Sequence, residues 1–224
     1  MRAPRIRPCS FAATGLALWL ACGVQPRTAA GDETAAEPGR TYRWTFDEPR
    51  SDALPDNLVG VLGNWKIESE ASAPSAPNVL RQTGSFESPD FPRVIVWDLT
   101  FTDLALRVRC RPEAGRTDQA CGLLFRAKAS DAYYVARANA LEGNVRLYEV
   151  VGGRREQLAS SDLEVTSGEW HTLEVEARGT SLSVSWDGRE VISATDATFD
   201  TGKIGLWTKA DSVTAFDDLE ARAE

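Results

Sequence analysis

Alternation of apolar and polar residues along short segments is the feature that most constrains the fold of this chain. The pattern is clear in residues 104–110, 121–128 and 133–139, and it recurs along most of the sequence. A period of two places the apolar side chains on one side of a β-strand, and no long segment keeps the 3.6-residue period of an amphipathic helix. Many short strands joined by turns predict an all-β sandwich.

Glycine-containing turns separate several of these segments. Asp187-Gly188 is typical of a two-residue hairpin turn, and Glu142-Gly143 and Gly152-Gly153 mark two further turns. The chain has 224 residues, of which 42% are hydrophobic, enough for one sizeable core. The predicted strands are residues 41–46, 94–100, 104–110, 121–128, 133–139, 144–151, 170–178, 181–186, 190–194, 203–208 and 212–221.

The first thirty residues have the composition of an export signal. Arg2, Arg5 and Arg7 precede an apolar run at residues 11–21, and small residues lead to Ala30. We expect cleavage near Ala30, which would place the protein in the periplasm or outside the cell. Residues 31–40 are then a flexible tether, and residues 41–224 form one domain.

A second interpretation of the same region is a lipid anchor. Trp19, Leu20 and Ala21 precede Cys22 in the manner of a bacterial lipoprotein box, although that box prefers an aliphatic residue where Trp19 stands. Lipidation of Cys22 would tether the domain to a membrane.

The charge of the chain limits its partners. The formal net charge is −8, and residues 1–30 contain four arginines and no acidic residue, so the rest of the chain carries −12. An acidic body argues against nucleic acid and against anionic membrane surfaces as partners. Solubility is the simpler explanation of the acidic residues.

Cys110 and Cys121 are the two cysteines outside the predicted signal. Each lies on the apolar side of its predicted strand, and the two strands are consecutive. In an exported protein this arrangement favours a disulfide that closes the hairpin, with a stabilisation of about 3 kcal/mol. A metal site is not expected from the cysteines, since His171 is the single histidine.

Polar side chains suited to sugar recognition recur on the strands between residues 121 and 148 and near residue 207. Guanidinium and carboxamide groups can bind vicinal hydroxyls, and an indole can stack on a sugar ring. The alternatives are a solvated strand face with cross-strand charge pairs and, for the tryptophan, packing beneath a loop. The candidate ligand-binding residues are Arg126, Arg137, Asn139, Asn144, Arg146, Trp207 and Lys209.

Three longer segments resemble a bacterial group of exported β-sandwich proteins. They are residues 133–148, residues 168–173 (Gly-Glu-Trp-His-Thr-Leu) and residues 205–219, which include Thr-Lys-Ala-Asp-Ser and Phe-Asp-Asp-Leu. Members are described as 3-keto-disaccharide-hydrolase-like or family-16-glycoside-hydrolase-like domains, and the resemblance extends from Tyr42 to Ala221. It implies a concanavalin A-like jelly roll of two antiparallel sheets with a ligand groove on the concave sheet.

The chain departs from the family-16 glycosidases at their catalytic strand. Those enzymes carry two glutamates that flank an aspartate at alternating positions, and this sequence has no such triplet. Cleavage of a 3-keto glycoside, which the other description implies, needs a base and a polarising cation. Asp211 is the candidate base, with Arg137 or Lys209 as the cation; Glu142 and Asp118 are alternative acids.

Jelly rolls often hold a structural calcium ion between their first and last strands. Asp47 and Asp217, or Asp218, lie in suitable segments, and carboxylates suit Ca²⁺. The alternative is that these acids cap turns. No other cofactor is expected.

Three functions follow from these patterns. The first is recognition of a glycan or small saccharide by the concave sheet. The second is a hydrolase or lyase that acts on 3-keto glycosides, and the third is a non-catalytic subunit that docks a protein partner in the cell envelope. Whether the chain is an enzyme stays open.

Overall fold

The computed structural model describes residues 33–47 and 53–224. The predicted signal, Cys22 and the beginning of the predicted tether lie outside the described residues. The described part of the chain is all β-structure, and it contains no helix that is long and apolar enough to cross a membrane.

Sixteen strands follow one another in residues 33–47 and 53–224. Their bounds are β1 Thr34–Ala35, β2 Thr41–Trp44, β3 Leu58–Leu62, β4 Trp65–Ser69, β5 Asn78–Gln82, β6 Arg93–Phe101, β7 Leu104–Ala114, β8 Ala120–Ala129, β9 Ala132–Asn139, β10 Asn144–Val151, β11 Arg154–Asp162, β12 His171–Arg178, β13 Ser181–Trp186, β14 Arg189–Thr195, β15 Gly202–Trp207 and β16 Val213–Ala223.

The strands form two eight-stranded sheets. Sheet I has the order β1-β6-β15-β8-β9-β10-β11, with β3 also paired to β6; sheet II has the order β14-β13-β12-β7-β16-β5-β4, with β2 also paired to β16. All pairings are antiparallel except that of the short β1 with β6. The predicted two-sheet jelly-roll sandwich is therefore confirmed.

The core lies between the two sheets because each strand turns its apolar residues inward. Leu123 and Phe125 of β8 and Ala136 of β9 join Leu173 of β12 and Phe216 of β16 in one buried cluster. A second, smaller cluster lies on the opposite side of sheet I and contains Trp207, Tyr133 and Tyr148. Sheet I is thus partly covered on both faces.

The predicted pairing of Cys110 with Cys121 is confirmed, but the predicted hairpin is wrong. β7 lies in sheet II between β12 and β16, whereas β8 lies in sheet I between β15 and β9. Both cysteines are fully buried, and their Cα atoms are 6.3 Å apart. The disulfide therefore joins the two sheets across the core, because inward-facing residues of facing sheets meet as readily as those of neighbouring strands.

All the predicted strands are present, and the hairpin turns lie where glycine indicated them. Asp187, Gly188, Gly152 and Gly153 all have positive φ, which that turn type requires. The sequence patterns missed β1, β3, β4, β5 and β11. β11 is the return arm of the Gly152-Gly153 hairpin and pairs with β10 from Val151↔Arg154 to Asn144↔Asp162.

Candidate functional site

The outer face of sheet I brings together polar side chains from β9, β10 and the loop after β15. Arg137 pairs across the strands with Arg146, and Asn139 pairs with Asn144. Ala136 and Ala138 point into the core, so Arg137 and Asn139 point away from it. We call this group of side chains the arginine cluster; it consists of Asp118, Arg137, Asn139, Glu142, Asn144, Arg146, Tyr148 and Lys209.

Arg137 is the centre of the arginine cluster. Its residue exposure is 1%, and its guanidinium donates to Oδ1 of Asn144, to Oε2 of Glu142 at 2.8 Å and to the hydroxyl of Tyr148 at 3.3 Å. Such a buried cation is stable only with this set of partners, and the partners fix the plane of the guanidinium. Arg137 is therefore rigid before any ligand binds.

Glu142 neutralises both central arginines from the turn between β9 and β10. Nη1 of Arg146 lies 3.0 Å from the same Oε2 that Arg137 contacts. The side-chain oxygen of Asn139 accepts from the backbone N–H groups of Leu141 and Glu142, which holds the turn in place. Burial raises the pKa of Glu142, but the charges of Arg137, Arg146 and Lys209 outweigh it, and the net pKa is lowered.

Lys209 and Asp118 form the other end of the arginine cluster. Nζ of Lys209 is 2.8 Å from Oδ2 of Asp118, whose Oδ1 accepts from Nδ2 of Asn139 at 2.7 Å. Asp118 is buried, while Lys209, Glu142 and Arg146 each keep part of the side chain in solvent. These three residues form the solvent-facing side of the cluster.

Tyr148 is surrounded by three arginines. Its hydroxyl accepts from Arg137 and from Arg146, each at 3.3 Å, and the guanidinium of Arg155 lies 4.3 Å above its ring centroid. Burial raises the pKa of the Tyr148 phenol, but the hydrogen bonds and charges of Arg146, Arg137 and Arg155 outweigh it, and the net pKa is lowered. The three arginines thus make this phenol easier to ionise than an ordinary tyrosine.

Trp207 is the last residue of β15 in sheet I and is fully buried. Phe91 stacks on it with ring centroids 5.1 Å apart, and the neighbouring Gly122 leaves room for the indole, since a Cβ there would lie 3.1 Å from it. The loop that carries Phe91 is fixed by hydrogen bonds from Thr208 N to Pro92 O and from Ala210 N to Asp90 O. In this arrangement neither face of the indole is open to a sugar.

A pocket of about 500 Å³ opens beside the buried Trp207. It is lined by Leu62, Pro89, Asp90, Phe91, Arg93, Gly153 and Arg155. Below it is named the arginine pocket. Arg155 connects the pocket to the arginine cluster, because its guanidinium packs on both Phe91 and Tyr148.

Arg126 lies apart from the arginine cluster. A bulge in β8 gives Arg126 a positive φ and shifts the register to β9 after Phe125. Its guanidinium donates to the carbonyl groups of Thr102, Gly179 and Phe199 and pairs with Asp103. Arg126 thus connects loops rather than joining Arg137 and Arg146.

Asp211 has its carboxylate occupied by backbone. Its oxygens accept from the N–H groups of Arg116, Thr117 and Asp118 at 2.7 to 3.1 Å. Burial raises the pKa of Asp211, but these hydrogen bonds outweigh it and lower the net pKa. Its contacts are those of a loop cap, which holds Asp118 in the cluster.

Asp47 and Asp217 both contact the segment 75–78. Oδ1 of Asp47 accepts from Asn78 N at 3.1 Å, and Asp217 accepts from Ser75 N at 2.8 Å and from its hydroxyl at 3.0 Å. Within residues 33–47 and 53–224 no group of three or more His, Cys, Asp or Glu side chains is placed to hold a metal ion. Calcium binding by Asp47 and Asp217, or Asp218, therefore stays a prediction.

The sequence patterns did not identify Tyr148, Arg155 and Phe91 as parts of the site. Arg155 lies on β11, whose own alternation is weak, but the Gly152-Gly153 turn required a return strand that would place Arg155 opposite Val150. Tyr148 shares the outer face with Arg146 by simple alternation. Phe91 lies in a loop with no sequence signal.

Comparison with known proteins gives a family match over most of the chain. The model of the 3-keto-alpha-glucoside-1,2-lyase-like domain matches residues 59–222. No match was found among curated proteins.

Solved structures with the same fold include three that match 75–83% of this chain. A carbohydrate-binding module from Bacillus subtilis has a TM-score of 0.64 at 19% identity and covers 75% of this chain and 96% of its own. A beta-1,3-1,4-glucanase from a mouse hindgut metagenome has a TM-score of 0.60 at 13% identity, and the match covers 82% of this chain and 99% of the glucanase. A Bacillus subtilis protein of unknown function with a galectin-like fold has a TM-score of 0.57 at 13% identity, and the match covers 83% of this chain and 97% of that protein. At these identities the likeness concerns the fold.

Proposed function

This chain belongs to the 3-keto-alpha-glucoside-1,2-lyase-like domain family, and on that premise we propose that its arginine cluster recognises a saccharide. The observation that carries the proposal is the fixed position of Arg137. A buried guanidinium held by Glu142, Asn144 and Tyr148 forms a rigid base for the more exposed Arg146 and Lys209. Rigid donors bind hydroxyl groups with little loss of side-chain entropy.

Two features support a saccharide over a protein partner. The solvent-facing side of the cluster offers both donors and acceptors, from Arg146, Lys209 and Glu142, and sugar hydroxyls need both. The similar carbohydrate-binding module and glucanase place sugar-directed functions on the same fold. A docking site for an envelope protein remains the alternative if no sugar binds.

Calorimetry with neutral disaccharides and tetrasaccharides tests saccharide recognition. Arg146→Gln is the informative variant, since Arg146 is partly exposed and its loss leaves Arg137 in place. We expect about tenfold weaker binding, because a charge-assisted hydrogen bond is lost. Arg107→Gln, at an exposed position of sheet II, is the matched control and should bind like the parent. Equal loss in both variants, or no binding by the parent, would contradict the proposal.

A second function, elimination from a 3-keto glycoside, is favoured by Tyr148. As a phenolate it would remove the proton at C2, which is acidified by the C3 carbonyl. The electron pair passes to the carbonyl oxygen as an enolate beside Arg137 and Arg146 and then forms the C1–C2 double bond as the C1–O bond breaks. Tyr148, which now carries the proton taken from C2, returns it to the leaving oxygen. Tyr148 replaces Asp211 as the candidate base because the carboxylate of Asp211 is engaged by three backbone N–H groups.

Turnover of a 3-keto glucoside, followed by the absorbance of the unsaturated product, tests the second function. Tyr148→Phe should reduce kcat by at least about 100-fold. Binding of the substrate should change little, since the ring and its contact with Arg155 are kept. Unchanged turnover in Tyr148→Phe would remove this function, and turnover lost in Asp211→Asn alone would restore Asp211 as the base.

Export of the protein is also part of the proposal. The disulfide between Cys110 and Cys121 supports an oxidising compartment, the periplasm or the exterior of the cell. Cell fractionation and mass measurement of the N-terminus test export. A chain that starts near residue 31 indicates cleavage, and a lipid-modified Cys22 indicates an anchor.

A further inference from the structure

The charges on the outer face of sheet I are unevenly neutralised. Arg137 and Arg146 share Glu142, and Lys209 pairs with Asp118. Arg93 and Arg155, the two arginines of the arginine pocket, form no ion pair anywhere in residues 33–47 and 53–224. The pocket therefore carries positive charge that the described chain does not neutralise, on a protein whose formal charge is −8.

Both pocket arginines are held in place by neutral groups. Arg93 donates through Nη1 to Phe91 O at 2.7 Å and through Nη2 to Ser130 O at 2.8 Å. Arg155 packs against Phe91 at 5.0 Å, Tyr148 at 4.3 Å and Trp207 at 6.0 Å from the ring centroids. Carbonyl groups and aromatic rings orient a guanidinium without removing its charge.

Unused hydrogen-bond donors accompany this charge. Nε of Arg93 and Nη1 of Arg155 are buried and have no acceptor among the residues that the structure describes. Asp90, the one acidic residue that lines the pocket, is exposed, so solvent and salt screen its charge. Fixed guanidinium groups with free donors bind planar or tetrahedral anions well.

We propose that the arginine pocket binds the anionic substituent, a carboxylate or a sulfate ester, of the saccharide whose hydroxyls occupy the arginine cluster. This inference rests on the proposed saccharide recognition. A volume of about 500 Å³ accommodates a sugar ring with such a substituent. The preferred ligands are therefore acidic saccharides, and the acidic remainder of the protein repels anions that do not reach this pocket.

Matched ligands on the intact protein test the charge preference. Calorimetry compares a uronate-containing disaccharide with its carboxyl-reduced counterpart, and a sulfated disaccharide with its unsulfated form. We expect at least one acidic ligand to bind about tenfold more tightly than its neutral partner, and the advantage to shrink as salt is raised. The pair that shows the preference identifies carboxylate or sulfate as the substituent.

Two sets of variants assign the preference to the pocket. Arg155→Gln should remove it, because the affinity for the acidic ligand should fall about tenfold and that for the neutral ligand clearly less, and Arg155→Lys should keep part of it. Gly153→Asp tests the same point without touching an arginine, since Gly153 is exposed and a Cβ there meets nothing within 4 Å. Gly153 has a positive φ, which Asp and Asn accept more readily than other side chains, so the Asn variant carries the same backbone strain. The new carboxylate of Gly153→Asp should reduce the preference for the acidic ligand, whereas the neutral control Gly153→Asn should not. Arg107→Gln should leave the preference intact.

The outcomes separate this inference from the proposed function. Equal affinity for acidic and neutral ligands, or a preference that survives both Arg155→Gln and Gly153→Asp, overturns the anion subsite and leaves saccharide recognition standing. If no saccharide binds, the proposed function fails. In that case, binding of inorganic sulfate that is abolished in Arg155→Gln would still support an anion site in the pocket. Absence of sulfate binding would overturn the anion site as well.

Discussion

Both sheets carry arginines on their outer faces, but they surround them differently. On sheet II, Arg81 and Arg111 meet Glu68, Glu70 and Glu113, with N–O distances of 2.6 to 3.1 Å. Backbone and side-chain hydrogen bonds from Ser72, together with Arg111 and Arg81, lower the pKa of Glu70 to about 2. This network has more carboxylates than cations and fixes strands β4, β5 and β7 to one another.

On sheet I the cations outnumber the carboxylates. Arg137, Arg146 and Lys209 have two acidic partners, and Arg155 has aromatic rings in place of a carboxylate. A network of paired charges stabilises the fold. An excess of fixed positive charge destabilises it unless a bound ligand compensates that charge. The comparison supports the proposal that the arginines of sheet I form a binding site, whereas those of sheet II hold neighbouring strands together.

Replacing the central arginine of each sheet should give the largest difference. Arg137→Ala leaves Glu142, Asn144 and Tyr148 without their shared donor, so we expect the free energy of unfolding to fall by about 2–4 kcal/mol and saccharide binding to be lost. Arg111→Ala should lower the free energy of unfolding by less, since Arg81 still contacts Glu70 and Glu113. Saccharide binding should persist in this variant. Urea unfolding and calorimetry measure both; binding lost equally in the two variants would contradict the comparison.

Two carboxylates of sheet II should dominate the pH dependence of stability in opposite directions. The lowered pKa of Glu70 means that its stabilisation is present above its ordinary pKa of 4.5 and is lost as the pH falls towards 2. Glu70→Gln should flatten the urea-unfolding profile in that window. A profile that keeps its slope between pH 4.5 and 2 would contradict this role.

Asp217 has no cation partner in the described chain, and its effect on the pH dependence of stability should be opposite to that of Glu70. Burial is the main cause that raises its pKa to about 6, above an ordinary value of 3.8. The folded state therefore holds this proton more tightly, and stability should fall as the pH rises from about 4 to about 6. Asp217→Asn should remove this decline from the unfolding midpoints, and a decline of the same size in the variant would assign it to another group.

Phenol titration should distinguish the tyrosines of sheet I. Burial raises the pKa of Tyr133 and raises that of Tyr134 to about 12, whereas the arginines around Tyr148 lower its net pKa. Tyr148 should therefore ionise first of these three, as followed by phenolate absorbance. Tyr148→Phe should remove this first step, and Arg155→Gln should move it to higher pH; a first step that persists in Tyr148→Phe belongs elsewhere.

Lys209 should show the smallest effect. Its partner Asp118 is buried but keeps a hydrogen bond from Asn139, so Lys209→Gln should lower the free energy of unfolding by about 1–2 kcal/mol and weaken saccharide binding a few-fold. Lys128→Gln, which breaks an exposed pair with Asp200, is the matched control and should be nearly silent. A larger loss in the control would show that surface charge, not the cluster, is responsible.

Much of the fold could be predicted from local patterns, but less of the site could be. Alternation identified β7 to β10 and placed Arg137 and Arg146 on one face, because side-chain direction along a strand follows from the backbone. The same alternation gave no means to see that Arg126 sits at a bulge or that Phe91 covers Trp207. Bulges and covering loops depend on contacts between distant residues.

The sequence by itself determined eleven of the sixteen described strands, the pairing of Cys110 with Cys121 and the family, because these follow from side-chain period, from cysteine number and from local motifs within short segments. The tertiary structure alone decided that the disulfide crosses between sheets and that Arg93 and Arg155 share a pocket. Residues far apart in the chain meet there only after each strand has been assigned to a sheet. That assignment is made by packing of the whole core, and no local pattern encodes it.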